Sequence, residues 1–346
     1  MTNLFSRHRN FLFSLGFLFL FLFAIYWFFF SPPSGPFQTK SIMIKKGSPL
    51  RKVSIDLEQE GIIRDATLFM GMATLFGKKK EIKAGEYDVH TRMHPWEVLN
   101  ILAKGQVKHR LVTIAEGLTL SQIAQHLNDL KIVEKEAFLE KAFSPALIIS
   151  LGLSYSATGT PGPSLEGYLF PDTYHLTSEM TYEEIIQMMV QQFNKIFNKE
   201  WIRRAAQLGM SQREVVILAS IIEKETALPD EKPLISAVFH NRLKKKIPLQ
   251  SDPTVIYGIK NFNGNLTRAD LQRPSPYNTY LINGLPPTPI CNPGKDSLFA
   301  ALHPSPVSYL YFVSKKDGSH YFSSTMEEHN RAVSKYQKRG LGKASK

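Results

Sequence analysis

The strongest hydrophobic pattern in the chain is an uninterrupted apolar segment, residues 11–30, that carries no charged side chain. At about 1.5 Å of rise per helical residue, this length reaches about 30 Å, the thickness of the hydrocarbon core of a bilayer. A cleaved signal peptide is the alternative, but its apolar region is about 7 to 15 residues long and ends in small residues. This segment ends in aromatic residues, so the pattern predicts a transmembrane anchor.

Basic residues lie close to only one end of this segment. Arg7 and Arg9 precede it, and no basic residue follows it until Lys40. The positive-inside rule therefore predicts that residues 1–10 are cytoplasmic and that the bulk of the chain is extracytoplasmic. Residues 31–40 contain three prolines, which is typical of a short, stiff stalk.

A strand-turn-helix pattern then occurs twice, with an offset of 70 residues that aligns Ile42 with Val112. Each copy has an alternating strand, a glycine turn and a Ser/Thr-capped helix with apolar residues three and four apart. The aligned positions include Gly47 with Gly117, Leu50 with Leu120, Val53 with Ile123, and Leu57 with Leu127.

The first copy continues with a predicted strand over residues 83–89 and a predicted helix over residues 95–104. We therefore expect an α+β module at residues 41–110 and a second related strand-helix segment at residues 111–155. Such a unit either spaces the chain or binds glycan, and one strand-helix pair alone buries too little surface to be stable by itself.

A larger domain of helices and strands is expected at residues 156–340, after a loop predicted by Gly and Pro at residues 154–164. Thr181 and Glu184 form a capping box, which predicts an amphipathic helix from there to about Trp201. The fold class expected for the whole chain is α+β, with an N-terminal transmembrane helix.

One helix of this domain brings two carboxylates out of the core. It begins at a capping box at Ser211, and residues 215–222 are apolar on every side, which predicts burial. It ends at Glu223 and Glu225, shortly before Pro229. Burial and the negative end of the helix dipole both disfavour an ionised carboxylate, as a general acid requires.

The two carboxylates point about 200° apart around the helix, so only one is expected to face a cleft. Glu223 continues the line of Val216, Ala219 and Ser220, and the last two of these are small enough to leave room for a ligand. We therefore predict Glu223 in the cleft, while Glu225 meets water or a structural partner. The alternative is that both simply solvate the helix end.

Net charge and composition limit the classes of partner that the chain can bind. A net charge of +12 fits nucleic acid, anionic lipid or an acidic polymer, and an extracytoplasmic domain excludes nucleic acid. The lysine triplets 78–80 and 244–246 are most simply solvated faces. The single cysteine, Cys291, excludes a disulfide framework, and no metal or cofactor signature is present.

Four motifs stand out in the larger domain: residues 165–174 (LEGYLFPDTY), 219–226 (ASIIEKET), 249–258 (LQSDPTVIYG), and 277–280 (YNTY) leading to 284–287 (GLPP). A tail pattern follows, with Asn292-Pro293-Gly294, His303-Pro304 and Tyr321-Phe322-Ser323. Together they resemble the motifs of the endolytic murein transglycosylases, the MltG/YceG-like family of bacterial cell-wall enzymes, and the likeness extends over roughly residues 42–336.

The resemblance implies a protein of the bacterial inner membrane with a LysM-like module and a catalytic domain whose essential acid aligns with Glu223. Its substrate would be the glycan strand of peptidoglycan, cut between N-acetylmuramic acid and N-acetylglucosamine to leave a 1,6-anhydro end. Family members are linked to terminating newly made strands, so peptidoglycan synthases are expected partners. A single carboxylate suffices because the 6-hydroxyl of the sugar, and not water, is the nucleophile.

Other polar side chains in these motifs are candidates to bind substrate or to orient the acid, although each is equally well explained by fixing a loop. They are Glu166, Tyr168, Gln250, Asp252, Asn278 and Tyr280, with Glu225 as a secondary carboxylate. Two alternatives remain open: a non-catalytic glycan-binding scaffold for synthases, and a hydrolytic muramidase that uses Glu166 or Asp252 as its second carboxylate.

Overall fold

The computed structural model describes residues 14–21, 23, 26–27, 31–33, 35–153 and 162–337. Residues 1–10, part of the predicted anchor and most of the predicted loop at 154–164 lie outside this set. Within it, no helix is both long enough and apolar enough to cross a membrane. The chain divides into two compact units, residues 1–111 with 175–180, and residues 112–174 with 181–346. Both contain helices and short strands, which confirms the α+β class.

The first unit contains an antiparallel pair of strands, and two helices lie between these strands in the sequence. The chain order is β1 (Thr39–Ile44), α1 (Leu50–Gln59), α2 (Ala66–Leu75), β2 (Gly85–His90) and α3 (Pro95–Lys104). The last two elements confirm the predicted strand and helix. Alternate strand residues point inward, so that Ile42, Ile44, Tyr87 and Val89 join the helices in one buried core.

The proline-rich segment before β1 is bonded to this unit. Arg64 donates to the carbonyl oxygen of Pro32 at 2.7 Å, and the Thr91 hydroxyl donates to that of Pro36, also at 2.7 Å. Residues 31–38 are therefore held against the module at two points, which a free stalk would not be.

The second copy of the repeat has the predicted structure, with β3 (Arg110–Thr113) leading to α4 (Leu120–Asp129). The turn glycines Gly47 and Gly117 both have positive φ, +79° and +75°, a conformation that disfavours any other residue. The Ser/Thr cap predicted for both helices is present only in the second copy. Thr119 caps α4 with a capping box, whereas Pro49 stands at the first helix's N-cap without a side-chain bond.

Residues 112–153, which belong to the segment predicted at 111–155, are part of the larger compact unit. Hydrogen bonds explain this. The backbone N–H of Leu120 donates to the buried Glu166 carboxylate at 2.9 Å, and the Asn292 side chain donates to the Leu118 carbonyl at 3.0 Å. The second strand-helix segment thus completes the core of the larger unit and is not a separate module.

The second unit is mainly helical. Besides α4 it contains ten helices and the pair β5–β6 within the part of the chain that the structure describes, while β4 (Thr173–Leu176) pairs with β3. The helices are α5 (Lys135–Ala142), α6 (Pro145–Ser150), α7 (Tyr182–Ile196), α8 (Lys199–Gln207), α9 (Gln212–Glu225), α10 (Lys232–Lys244), α11 (Asp252–Tyr257), α12 (Arg268–Leu271), α13 (Lys295–Leu302) and α14 (Met326–Tyr336). The antiparallel strands are β5 (Tyr311–Ser314) and β6 (His320–Ser323).

Both predicted capping boxes are present, at Thr181 before α7 and at Ser211 before α9. The helix expected to run from Thr181 to about Trp201 is instead two helices. The break follows Phe197, where Asn198 accepts hydrogen bonds from the first backbone N–H groups of α8.

Helix α9 is the centre of this unit, and its residues 215–222 are all buried, as predicted. It packs against α8, α10, α11 and α13. The loop that contains Gly167 lies directly on it: a Cβ at Gly167 would stand 2.8 Å from a Val216 methyl carbon and 2.5 Å from Pro289. This close packing fixes the loop against the N-terminal half of α9.

Candidate active site

The C-terminal turn of α9 places Glu223 and Glu225 in two different environments. Glu223 is locked within the protein: both of its carboxylate oxygens lie 3.4 Å from Nζ of Lys232, and one accepts the backbone N–H of Gly294 at 3.0 Å. The side chains of this ion pair are only 8% and 4% exposed. Such a pair has the features of a structural contact.

Glu225 instead lines a cleft of ≈ 340 Å³ in the second unit. In this structure the cleft thus opens next to Glu225, while the Glu223 side chain is paired with Lys232; the assignment of the acid to Glu223 stays a prediction. The other lining residues are Arg242, Leu249, Gln250, Asp252, Tyr280, Phe312 and His329.

The surroundings of Glu225 favour its protonated form. Desolvation raises the pKa of this carboxyl to about 7, and the negative charge of Asp252 adds to the rise. The hydroxyl of Ser251 donates a short hydrogen bond to one carboxylate oxygen, which partly offsets the effect. At neutral pH a large fraction of Glu225 therefore carries a proton that it can donate.

Three of the predicted site residues surround Glu225 in the cleft. Tyr280 donates its hydroxyl proton to Asp252 at 2.6 Å, which joins α11 to the loop at 277–280. Gln250 has a φ of +53°, and its side-chain oxygen accepts a hydrogen bond from Arg242 at 3.1 Å. Among the described residues, the amide nitrogen of Gln250 donates no hydrogen bond within the fold, so it is available to a ligand.

The other three predicted site residues, Glu166, Tyr168 and Asn278, are buried in the protein interior. The oxygens of Glu166 accept hydrogen bonds from Leu120, Asn292 and Tyr257 at 2.9–3.1 Å, and burial raises its pKa to about 7. Tyr168 is buried against Phe193. Asn278 is fully buried and donates to two backbone carbonyls of the preceding loop. These contacts are those of residues that hold loops.

Sequence reasoning missed Arg242, Phe312 and His329 as cleft residues, and Ser251 as a hydrogen-bond donor to Glu225. Arg242 had a readable signal, because it continues the apolar stripe of Ile235, Val238 and Phe239 on α10, and a buried guanidinium needs several acceptors. It finds them in the carbonyls of Pro248, Leu249 and Leu310. His329 arrives from α14, far away in the chain, and only the tertiary fold brings it to Glu225.

The site depends on carboxyl chemistry in the residues that are described. Among them, no cluster of three or more His, Cys, Asp or Glu side chains is arranged to hold a metal ion. A protonated carboxyl at the end of a core helix, in a cleft lined with hydrogen-bonding side chains, suits general acid catalysis on a polar substrate.

The sequence profile of the YceG-like family matches residues 42–335, and the chain belongs to that family. An endolytic murein transglycosylase of Bacillus subtilis is 33% identical over 307 residues, which cover 86% of this chain and 85% of that protein. Endolytic murein transglycosylases of two Streptococcus pneumoniae strains are 29% identical over 324 residues. The chain covers 58% of the length of those streptococcal proteins.

The fold also has a solved counterpart. The crystal structure of a yceG-like protein from Listeria monocytogenes matches with a TM-score of 0.60 and 32% sequence identity. The match covers 85% of this chain and 98% of that one. The resemblance inferred from the motifs is thereby confirmed at the level of the family.

Proposed function

We propose that this chain is an endolytic murein transglycosylase whose general acid is Glu225. The observation that carries the proposal is the position of Glu225 in the polar cleft with a pKa of about 7, while Glu223 is bonded to a buried lysine. The names of the relatives support the reaction class. The motif-based assignment of the acid to Glu223 stays a prediction, and the geometry favours the neighbour two positions later.

In the proposed reaction, Glu225 donates its proton to the oxygen between N-acetylmuramic acid and N-acetylglucosamine, and the bond from that oxygen to C1 breaks. The 6-hydroxyl of the muramic acid forms the new bond to C1, and its proton passes to the Glu225 carboxylate. The proton count is balanced and no water is consumed. The intramolecular nucleophile gains from its high effective molarity.

Asp252 and Tyr280 have supporting roles in this proposal. The negative charge of Asp252 raises the pKa of Glu225 and keeps the acid protonated. The Tyr280 hydroxyl fixes the Asp252 carboxylate, so Asp252 is held and does not move freely toward a water molecule. Gln250 offers an amide donor to substrate acetamido or hydroxyl groups.

We further propose that residues 11–30 anchor the protein in the cytoplasmic membrane, with residues 1–10 in the cytoplasm. Residues 14–21 are helical, and their large apolar side chains are exposed, which supports a lipid environment. The first unit would be a glycan-binding module of the LysM-like kind. An anchored enzyme meets strands as they are made, so nascent-strand termination beside peptidoglycan synthases is the proposed role.

The test is digestion of purified, unlabelled peptidoglycan by the full chain in detergent, with the products identified by mass spectrometry. We expect 1,6-anhydro ends, and a loss of about 10²- to 10⁴-fold in rate for Glu225→Gln. Glu223→Gln is the matched control on the same helix turn. It should keep cleavage in the fraction of protein that is folded.

Each other outcome points to a different function. Reducing ends that contain added water would indicate a muramidase with Asp252 as second carboxylate. Binding without cleavage would indicate the scaffold. An inactive but fully folded Glu223→Gln, beside an active Glu225→Gln, would return the catalytic role to Glu223.

A further inference from the structure

We infer that one face of the first unit rests on an anionic lipid surface. The face consists of the exposed stripe of α2, formed by Thr67, Gly71, Thr74 and Leu75, and of residues 76–80 that follow it. We call it the α2 face. The inference rests on the membrane anchor proposed above, and the proposed reaction does not depend on it.

The α2 face is unusual for a surface helix because it carries no charge. None of the ten residues of α2 is ionisable. Its inner side, with Phe69, Met72 and Ala73, is buried in the core of the unit. Its outer stripe is exposed but holds only small, hydroxyl and apolar side chains, whereas a helix that faces water normally has charged residues there.

Apolar and basic side chains meet where this helix ends. Leu75 is 80% exposed and Phe76 is 48% exposed. The Phe76 ring lies 4.7 Å from the ring of the half-buried Trp96, and the Lys78 ammonium lies 5.5 Å from that Trp96 ring. Amphipathic aromatic rings of this kind are enriched at the level of lipid headgroups.

The charges fit a lipid surface better than a neutral polymer. Residues 78–80 are three consecutive lysines, and Lys79 and Lys80 are exposed. The nearest acid in the chain, Glu81, lies 3.9 Å from Lys78 and leaves the segment with a net positive charge. Apolar side chains followed at once by lysines are typical of segments that bind anionic membranes at the interface.

The chain connection holds this face near the bilayer. Only residues 31–38 separate the proposed anchor from β1, and eight extended residues reach at most about 28 Å. The bonds to Pro32 and Pro36 shorten this reach further by fixing the segment on the first unit. The effective concentration of the α2 face at the membrane is therefore high.

The experiment uses the full chain reconstituted into vesicles of equal parts phosphatidylglycerol and phosphatidylcholine, or of phosphatidylcholine alone. An environment-sensitive fluorophore is attached at Thr74→Cys, and at Arg51→Cys on exposed α1 as the control position. Cys291 is buried and stays unlabelled. We expect a blue-shifted emission from the Thr74 position only, in the phosphatidylglycerol vesicles, and weaker at high salt.

Two sets of variants separate the apolar and the basic contributions. Leu75→Ser should remove most of the shift. Each of Lys79→Gln and Lys80→Gln should lower the ratio of bound to free module roughly five-fold. Lys45→Gln and Lys46→Gln, made singly as controls, each remove the same charge from another exposed part of the unit, and should leave the shift unchanged.

Flotation of the same vesicles reports on the anchor separately. A chain that does not float overturns the anchor and this inference with it. A chain that floats while the Thr74 signal equals the Arg51 signal overturns this inference alone. A Thr74 signal that responds to soluble glycan fragments and not to phosphatidylglycerol also overturns it, and assigns the face to glycan.

Discussion

Glu223 and Glu225 show how much two positions along one helix turn can differ. The first carboxylate is neutralised by a buried ammonium, so its charge serves the fold. The second carboxylate faces a cleft with an acidic neighbour, and its pKa rises to about 7. The raised pKa of Glu225 favours a carboxyl group that can donate a proton, which is the basis of the proposed role of Glu225.

The pH dependence of activity should follow the pKa of Glu225. The acid must be protonated, so kcat/KM should fall about ten-fold per pH unit above about pH 7. Ser251→Ala removes a hydrogen bond that lowers the pKa, and should move this limb to higher pH. Asp252→Asn removes a charge that raises the pKa, and should move it to lower pH. If both variants moved the pH profile in the same direction, the assignment of Glu225 as the general acid would be contradicted.

Removal of the Glu223 charge should lower the free energy of unfolding and leave the rate of cleavage unchanged. Glu223→Gln removes the carboxylate that forms the ion pair with the buried Lys232, and should lower the free energy of unfolding by about 3–5 kcal/mol. The double variant Glu223→Gln with Lys232→Met should recover most of this loss. Urea unfolding of the three proteins measures it, and an equally unstable double variant would refute the ion-pair explanation.

At the scale of elements, the site depends on how loops pack against α9. The loop at 165–170 reaches α9 through Gly167, whose φ is +88°. Asn292 ties the same loop down, since its side-chain oxygen accepts the N–H groups of Gly167 and Leu169. Glu166 and Asn278 act at this scale as well, because their hydrogen bonds join loops that surround the cleft.

Gly167→Ala tests this packing. The added methyl group would overlap with Pro289 and Val216, so we expect a loss of more than about 2 kcal/mol in unfolding free energy. Gly209→Ala is the matched control. Its φ is also positive, +71°, but no heavy atom lies within 4 Å of the added carbon, and it should cost about 1 kcal/mol. Equal losses would show that backbone strain alone matters.

At the scale of the whole molecule, the chain combines a proposed anchor, a small unit and a larger unit that contains the cleft. The net charge of +12 suits both an acidic cell-wall polymer and an anionic membrane. The proposed anchor would give the proposed substrate choice a physical explanation, since an anchored chain would work near the place where strands are made.

Replacement of residues 11–30 by a cleavable signal should release the protein from the membrane, as cell fractionation would show. We expect the released protein to digest purified peptidoglycan at an unchanged rate, because the cleft is intact. In cells it should lose its preference for nascent strands, measured by pulse-labelled glycan length. Retention of that preference would show that proximity is not its cause.

Local patterns predicted much of this fold. The capping boxes at Thr181 and Ser211, the helix at 95–104, the turn glycines and the buried run in α9 each depend on a few neighbouring residues. The break after Phe197 and the packing of residues 112–153 into the larger unit were missed, because they depend on which surfaces pack together. The α4 segment looks like a second module in sequence and is a part of the larger core in space.

The sequence by itself determined the family, the α+β class and the fact that a core helix ends in two carboxylates. Only the tertiary structure shows that Glu225 lines a polar cleft and that Glu223 pairs with a buried lysine. Helical periodicity predicts that the Glu223 and Glu225 side chains point in different directions. Their different surroundings depend on Lys232, Gly294, Asp252 and Tyr280. Those residues come from other elements, and a pKa depends on the charges and burial around a group in space, which local sequence does not contain.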